Sequence, residues 1–148
     1  MLHIGNPDEE GKEKMEPFIN MILSNFQGEF YPFEEVSIDE MVIGFKGQWQ
    51  FKQFNATKPK KCHIKTFGLR DGATGYVLNI LTYFVGETSY KPECDPDGSY
   101  AVKIFETLLT PIRTDPKIFA DRFYTTRVLI DYLLQEKQYC TGTININR

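Results

Sequence analysis

The sequence holds little cysteine, and its three cysteines, Cys62, Cys94 and Cys140, lie far apart. A disulfide framework needs a larger, paired set, and a structural zinc site needs cysteine or histidine ligands at short spacings. Neither pattern is present, so we expect reduced thiols and no zinc site. Histidine is scarcer still, and the single pair Cys62-His63 is explained better by packing or a surface position than by metal ligation.

Long apolar runs are missing as well, because no run approaches the ~20 residues that a membrane-spanning helix needs. The N-terminus also lacks the basic and then apolar segments of a secretory signal, so we expect an intracellular protein with no membrane partner. What is present is a globular composition, with 41% hydrophobic residues and 12 Phe in a chain of 148 residues. That length predicts one domain with a substantial core.

Acidic residues are absent between Lys46 and Arg70, although the whole chain has a net charge of −3. This stretch carries a basic stripe interleaved with aromatic residues, formed by Lys46, Lys52, Lys58, Lys60, Lys61, Lys65 and Arg70. Such a stripe indicates a polyanionic partner such as DNA. It is also what a solvated loop and strand face looks like, and both interpretations stay open.

Two aspartates occur in or directly after apolar runs that have the composition of packed strands. Asp39 lies in the run over 36–44, and Asp121 ends the short run over 118–121. A carboxylate in such a place costs free energy unless hydrogen bonds, a cation or a metal ion receives its charge. One interpretation is that Asp39 is presented to Mg²⁺ from a central strand. The other is an edge strand on which Asp39 and Glu40 face water.

Hydrophobic spacing predicts the order of the helices and strands. An amphipathic helix runs from Met15 to Phe26, with Pro17 near its first turn and Gly28 at its end. The elements predicted after it are a strand over 36–44, an extended arm over 48–54, strands over 63–69 and 76–85 joined as a hairpin, a helix over 101–112, a strand over 117–121, a helix capped by Thr125 or Thr126, and a strand over 139–144.

This order, a β-meander followed by helix, strand, helix and strand, is that of an RNase H-like α/β fold with a mixed sheet. In that fold the first and fourth strands are neighbours. Asp39 and Asp121 would then face one another at a place where two divalent ions about 4 Å apart could bind.

Short motifs along the chain resemble those of the piggyBac transposase family, including its domesticated, transposable element-derived members. The matching pieces, from about Met15 to the last residue, are Tyr31-Pro-Phe, Ser37-Ile-Asp-Glu40, Phe45-Lys-Gly, Lys58-Pro-Lys-Lys, Ile64-Lys, Gly75-Tyr-Val, Asp121-Arg-Phe-Tyr-Thr-Thr and Gly142-Thr-Ile-Asn-Ile-Asn-Arg148. Each piece alone is a weak signal, but eight pieces in register are specific. The sequence departs from the family at Gln48, at Cys62-His63 and at Arg122, which stands where Asn is usual.

The resemblance implies a partial DDE-type transposase domain over residues 15–148, preceded by a polar segment over residues 1–14, that cleaves and transfers DNA strands in the nucleus. Asp39 and Asp121 would be catalytic residues that bind Mg²⁺ or Mn²⁺, the first two of three aspartates. In the family the third lies beyond the Asn-Arg that ends this sequence. We therefore expect the chain alone to be inactive, to lack the last helices of the fold and to expose apolar sheet surface that favours a homodimer.

The same resemblance implies weak, sequence-indifferent binding of double-stranded DNA. The residues expected to contact it are Lys46, Lys52, Lys58, Lys60, Lys61, Lys65 and Arg122. Arg122 could instead pair with Asp121 and compete with a metal ion. The alternative function is a domesticated module that binds DNA or protein without catalysis, in which Asp39 and Asp121 are relics.

Overall fold

A computed structural model of the chain describes residues 11–91 and 99–144. Cys94, most of the predicted N-terminal polar segment and the last residues of the final motif lie outside the described residues. The elements in chain order are α1 (Gly11–Glu29), β1 (Glu35–Gly44), β2 (Gln53–Phe54), β3 (Cys62–Asp71), β4 (Val77–Thr82), α2 (Tyr100–Leu109), β5 (Lys117–Ala120), α3 (Arg127–Gln135) and β6 (Tyr139–Gly142). The predicted element order, with its meander and its alternating α/β half, is confirmed.

The strands form one mixed sheet in the order β2-β3-β1-β5-β6, and β4 also pairs with β3. β1 is antiparallel to β3 and parallel to β5, and β5 is parallel to β6. β2 is a two-residue strand within the predicted extended arm, and it pairs with Cys62 and His63 at the start of β3. The predicted five strands therefore become six, because the end of the arm is long enough to form two bridges to the sheet.

The core lies on one face of this sheet. Val36 and Ile38 of β1 are fully buried there, whereas Ser37 and Asp39 point to the opposite face, as strand alternation requires. Helices α2 and α3 cover the core face with a set of buried side chains, Ala101, Ile104, Phe105, Leu108, Leu109, Leu129 and Leu133. α2 ends at Leu109, three residues before the predicted end, because Pro111 cannot continue a helix.

Helix α1 differs most from its prediction. It begins at Gly11 and runs through Gly28 to Glu29, so Pro17 lies inside the helix and not in its first turn. Proline has no amide hydrogen to donate within the helix, and α1 buries none of its residues fully. Tertiary contacts compensate, since α1 packs along β4 and its Glu16 accepts a hydrogen bond of 2.6 Å from the Ser89 hydroxyl. Among the described helices, none is both long and apolar enough to cross a membrane.

Asp71 connects the turn of the β3–β4 hairpin to the segment before β1 through hydrogen bonds. Its side chain is 1% exposed, and its carboxylate accepts hydrogen bonds from the Phe33 amide (2.8 Å), the Thr74 amide (2.8 Å) and the Thr74 hydroxyl (2.7 Å). Burial acts to raise the pKa of Asp71, but the hydrogen bonds from Thr74 and Phe33 outweigh it and hold the pKa below its usual value. Asp71 is therefore a charged group on which the fold depends.

We expect Asp71→Asn to lower the free energy of unfolding by about 2 kcal/mol at pH 7, because the variant loses charge-assisted hydrogen bonds. A carboxyl group with a lowered pKa stabilises the fold above its unfolded pKa of about 3.9. The difference between native and variant should then shrink as the pH falls through the folded pKa. Urea denaturation at pH 7 and pH 3 measures this, with the exposed Asp115→Asn as the control. A constant difference at both values would contradict the role given to the charge.

Candidate metal-binding and catalytic site

The parallel pairing of β1 and β5 brings the two predicted aspartates together. The register pairs Val36 with Ile118 and Ile38 with Ala120, and on each strand the aspartate directly follows the last paired residue. Asp39 and Asp121 are 82 positions apart in the sequence but occupy equivalent positions on neighbouring strands. The predicted contact between the first strand and the strand before Asp121 is therefore confirmed.

The interpretation of Asp39 as a residue of an edge strand is wrong, because β1 lies between β3 and β5. Asp39 is nevertheless exposed. The β1–β5 pairing stops at Ile38 and Ala120, while β1 continues to Gly44 paired with β3. The carboxylate thus lies in a central strand and still reaches solvent, so its charge does not have to be buried.

Both carboxylates line one open cavity of about 330 Å³. Its other walls include Ser37 and Arg70 on the same face of the sheet and Gly142 at the end of β6. The antiparallel pairing of β1 with β3 places Arg70 there, because its partner across this ladder is Ser37. The sequence assigned Arg70 only to the basic stripe, since its position beside the aspartates depends on the strand register.

Backbone amides orient the two aspartates. Oδ1 of Asp39 accepts a hydrogen bond of 2.7 Å from the Glu40 amide, and Oδ1 of Asp121 accepts one from the Arg122 amide. The carbonyl of Asp121 accepts from the amides of Tyr124 (3.0 Å) and Thr125 (3.1 Å), which closes a turn directly after β5. Each aspartate is therefore held at the point where its strand leaves the shared pairing.

The turn after Asp121 leads into α3. Thr126 is the N-cap of that helix, because its hydroxyl accepts a hydrogen bond of 3.2 Å from the Leu129 amide. Of the two residues predicted as caps, Thr125 and Thr126, the N-cap is therefore Thr126. Arg122 contacts Asp121 through its backbone, and among the described residues its guanidinium forms no ion pair with that carboxylate.

The predicted basic stripe is divided by Glu40. Its carboxylate lies 3.6 Å from Nζ of Lys58 and 3.5 Å from Nζ of Lys65, so both lysines have an acidic partner. Lys52 donates to the carbonyl of Gly47 over 2.7 Å. The exposed members of the stripe are Lys46, Lys60 and Lys61. The stripe therefore has a paired part next to the aspartates and an open part on the β2–β3 side.

Tyr124 lies in the core against the rings of Phe67 and Phe105, and it was assigned no role of its own from the sequence. Its side chain is 1% exposed, and its hydroxyl has no hydrogen-bond partner among the described residues. Burial raises the pKa of Tyr124, and the negative charges of Asp39, Glu40 and Asp121 raise it further. The hydroxyl forms a hydrogen bond to neither aspartate.

The donor set at the cavity fits one divalent cation. Two carboxylates from Asp39 and Asp121 provide the hard oxygen ligands that Mg²⁺ and Mn²⁺ prefer. Within residues 11–91 and 99–144, however, no three His, Cys, Asp or Glu side chains cluster as a complete metal site. His63 does not contribute, because it is buried with Nδ1 2.9 Å from the carbonyl of Lys60. The described residues therefore offer two carboxylates at this cavity without a third clustered His, Cys, Asp or Glu side chain.

The sheet topology, with a carboxylate directly after the last paired residue of each of the parallel strands β1 and β5, is that of an RNase H-like α/β domain. Comparison with known families agrees: the family described as Transposase IS4 matches residues 2–148, and this chain belongs to it. The resemblance to piggyBac-type transposases and the fold class predicted from the sequence are both confirmed.

Two solved structures resemble this chain. A piggyBac transposase synaptic complex with hairpin DNA matches 91% of it with a TM-score of 0.76 and 24% identity. The chain spans 28% of the length of that transposase. In a Mos1 transposase paired-end complex with the left transposon end, the match covers 95% of this chain and 46% of the Mos1 chain, with a TM-score of 0.42 and 16% identity.

Proposed function

We propose that this chain is the part of a DNA transposase domain that supplies two metal-binding carboxylates for Mg²⁺-dependent strand cleavage and transfer. The observation that supports this most is the placement of Asp39 and Asp121 at equivalent positions on adjacent parallel strands, in one open cavity, in a member of a transposase family. Carboxylate pairs in this arrangement bind the ions that catalyse phosphoryl transfer.

The residues around the pair suit a phosphodiester substrate. When bound, Mg²⁺ supplies Lewis-acid stabilisation of the phosphoryl oxygens and activation of the nucleophile. Asp39 and Asp121 hold the cation, and their exposure leaves room for the substrate. Arg70 lines the same cavity and can donate hydrogen bonds to a phosphate oxygen.

The chain alone should not complete the reaction. Two divalent ions about 4 Å apart repel one another strongly, and further negative oxygens are needed to offset that repulsion. Glu40 is the nearest additional carboxylate in sequence, but it is engaged by Lys58 and Lys65. The described residues therefore provide enough charge for one loosely held ion.

We expect the chain to bind Mn²⁺ weakly and not to nick supercoiled plasmid DNA with Mg²⁺ or Mn²⁺. The double variant Asp39→Ala, Asp121→Ala should lose the Mn²⁺ binding and be indistinguishable from the native chain in the nicking assay. Electron paramagnetic resonance of free Mn²⁺ and gel electrophoresis measure the two properties, with Asp115→Ala as the control.

Nicking that requires metal and disappears in the double variant would overturn this expectation, and would mean that Glu40 or another carboxylate completes the site. Unchanged Mn²⁺ binding in the double variant would show that Asp39 and Asp121 do not bind the metal ion. The chain would then fit the alternative function, a transposase-derived module that binds DNA or protein without catalysis.

We further propose double-stranded DNA as the partner and the nucleus as the location. The solved piggyBac complex contains hairpin DNA, and Lys46, Lys60 and Lys61 give this chain an exposed basic surface. Phosphate contacts from such a surface are independent of sequence and release counterions. Binding should therefore be weak, indifferent to sequence and strongly reduced by salt.

Replacing Lys46, Lys60 and Lys61 by Ala should lower the slope of log affinity against log salt by up to about 0.9 for each phosphate that a lysine no longer neutralises. Lys117→Ala is the matched control, because Lys117 is paired with Glu34 at 2.9 Å. Fluorescence anisotropy with duplexes of unrelated sequence gives the slopes. Equal slopes for the native chain and the triple variant would show that these three lysines face solvent and do not contact DNA phosphates.

We also propose that the edge of the sheet formed by β6 associates with a second copy, which leaves the aspartates accessible. The large apolar side chains of Phe119 on β5 and Tyr139 on the neighbouring β6 are exposed there, with Tyr139 at 74%. Exposed apolar patches of this kind favour association. These exposed side chains support the proposal of a homodimer.

Sedimentation velocity should show a monomer that dimerises as the concentration rises. The variant Tyr139→Glu should remain monomeric, because a charge at this position opposes burial. Leu134→Ser, at an exposed apolar position on α3, is the control and should dimerise like the native chain. A native chain that stays monomeric at every concentration would contradict the proposal.

A further inference from the structure

Gly68 makes room for the side chain of Arg70 beside the aspartates. It is the partner of Asp39 across the β1–β3 ladder, so the Cα atoms of Gly68 and Asp39 lie about 4.5–5.5 Å apart. Gly68 has no side chain, and Nε of Arg70 lies 3.8 Å from the point at which one would begin. The Arg70 side chain therefore runs back along β3 toward Asp39, on the face of the sheet opposite the core.

The Arg70 guanidinium is a cation without an acidic partner among the described residues. It lines the same open cavity as Asp39 and Asp121, yet it forms an ion pair with neither carboxylate. Lys58 and Lys65, by contrast, both pair with a glutamate. The cavity thus contains two groups that attract a cation and one group that attracts an anion.

We propose that Arg70 couples the binding of the metal ion to the binding of DNA. Its guanidinium binds a non-bridging oxygen of the phosphodiester that lies over the Asp39–Asp121 pair, and it opposes metal binding at this pair until the phosphate is present. The inference rests on the proposed function and adds a dependence between its two ligands. The site then takes up its metal ion more readily on DNA than in the free chain.

Electrostatics gives the two effects of Arg70 opposite signs. A guanidinium repels a divalent cation in the same cavity, and the open, solvated cavity keeps that repulsion modest. A phosphodiester is negatively charged, so it attracts the guanidinium and the cation alike and offsets the repulsion between them. Arginine suits this role because its fixed fork of N–H donors matches the oxygens of a phosphate.

Arg70→Met removes the charge and retains an unbranched side chain. Without DNA, the variant should bind Mn²⁺ about threefold more tightly than the native chain, because a repelling charge is gone. A saturating, short duplex of arbitrary sequence should lower the dissociation constant of the native chain for Mn²⁺ about tenfold, and that of Arg70→Met by no more than about threefold. Electron paramagnetic resonance of free Mn²⁺ measures each constant, after subtraction of the Mn²⁺ that the duplex binds alone.

Two further variants separate the charge of Arg70 from a structural role. Arg70→Lys keeps the charge but not the fork of donors, so without DNA it should bind Mn²⁺ as the native chain does, and DNA should strengthen that binding less. Arg113→Met is the matched control, because Arg113 is exposed and precedes β5, at the end of that strand away from Asp121. It should equal the native chain with and without DNA.

Weaker Mn²⁺ binding by Arg70→Met in the absence of DNA would overturn the inference, since Arg70 would then support the site and not oppose the cation. An equal effect of DNA on the native chain and on Arg70→Met would also refute it. In either case the proposed function stands if the double variant Asp39→Ala, Asp121→Ala loses Mn²⁺ binding. If that double variant binds Mn²⁺ as the native chain does, the proposed function fails as well.

Discussion

The parallel pairing of four residues of β1 with four residues of β5 is the interaction on which the site depends. It joins the meander to the α/β half of the domain, and it is stabilised by the burial of Val36, Ile38 and Ile118 on the core face. A one-residue slip would turn these side chains to the other face, so the register is strongly specified. The same register places Asp39 beside Asp121.

The end of that pairing is as important as the pairing itself. Because β5 turns away after Ala120, the central strand is open on one side at Asp39. A carboxylate can then lie in the middle of a sheet without the cost of burying a charge. The hydrogen bonds from the Glu40 and Arg122 amides aim the two side chains, and the cavity between them remains accessible.

The sequence was sufficient for the parts of the fold that follow from local patterns. Alternation in β1, the glycine-rich turn before β4 and the capping threonines predicted the strands, the hairpin and the start of α3 to within a few residues. The start of α1 was wrong because Pro17 was taken as a first-turn residue. Tertiary contacts with β4 and Ser89 support a helix that local preference does not favour.

Within the site, the sequence predicted the aspartates but not their neighbours. Arg70 reaches the cavity through the β1–β3 register, and Glu40 reaches Lys58 across 18 positions. Tyr124 appeared in a motif, but its burial follows from packing against Phe67 of β3 and Phe105 of α2. Such contacts depend on side chains that are distant in sequence, so no local sequence pattern predicts them.

The most direct test of the account is an experimental structure of the chain with Mn²⁺, in which anomalous scattering locates the ion. The predicted result is a single ion bound by the carboxylates of both Asp39 and Asp121. An ion bound elsewhere, or two carboxylates more than about 10 Å apart, would contradict the central claim that the β1–β5 pairing builds a metal site.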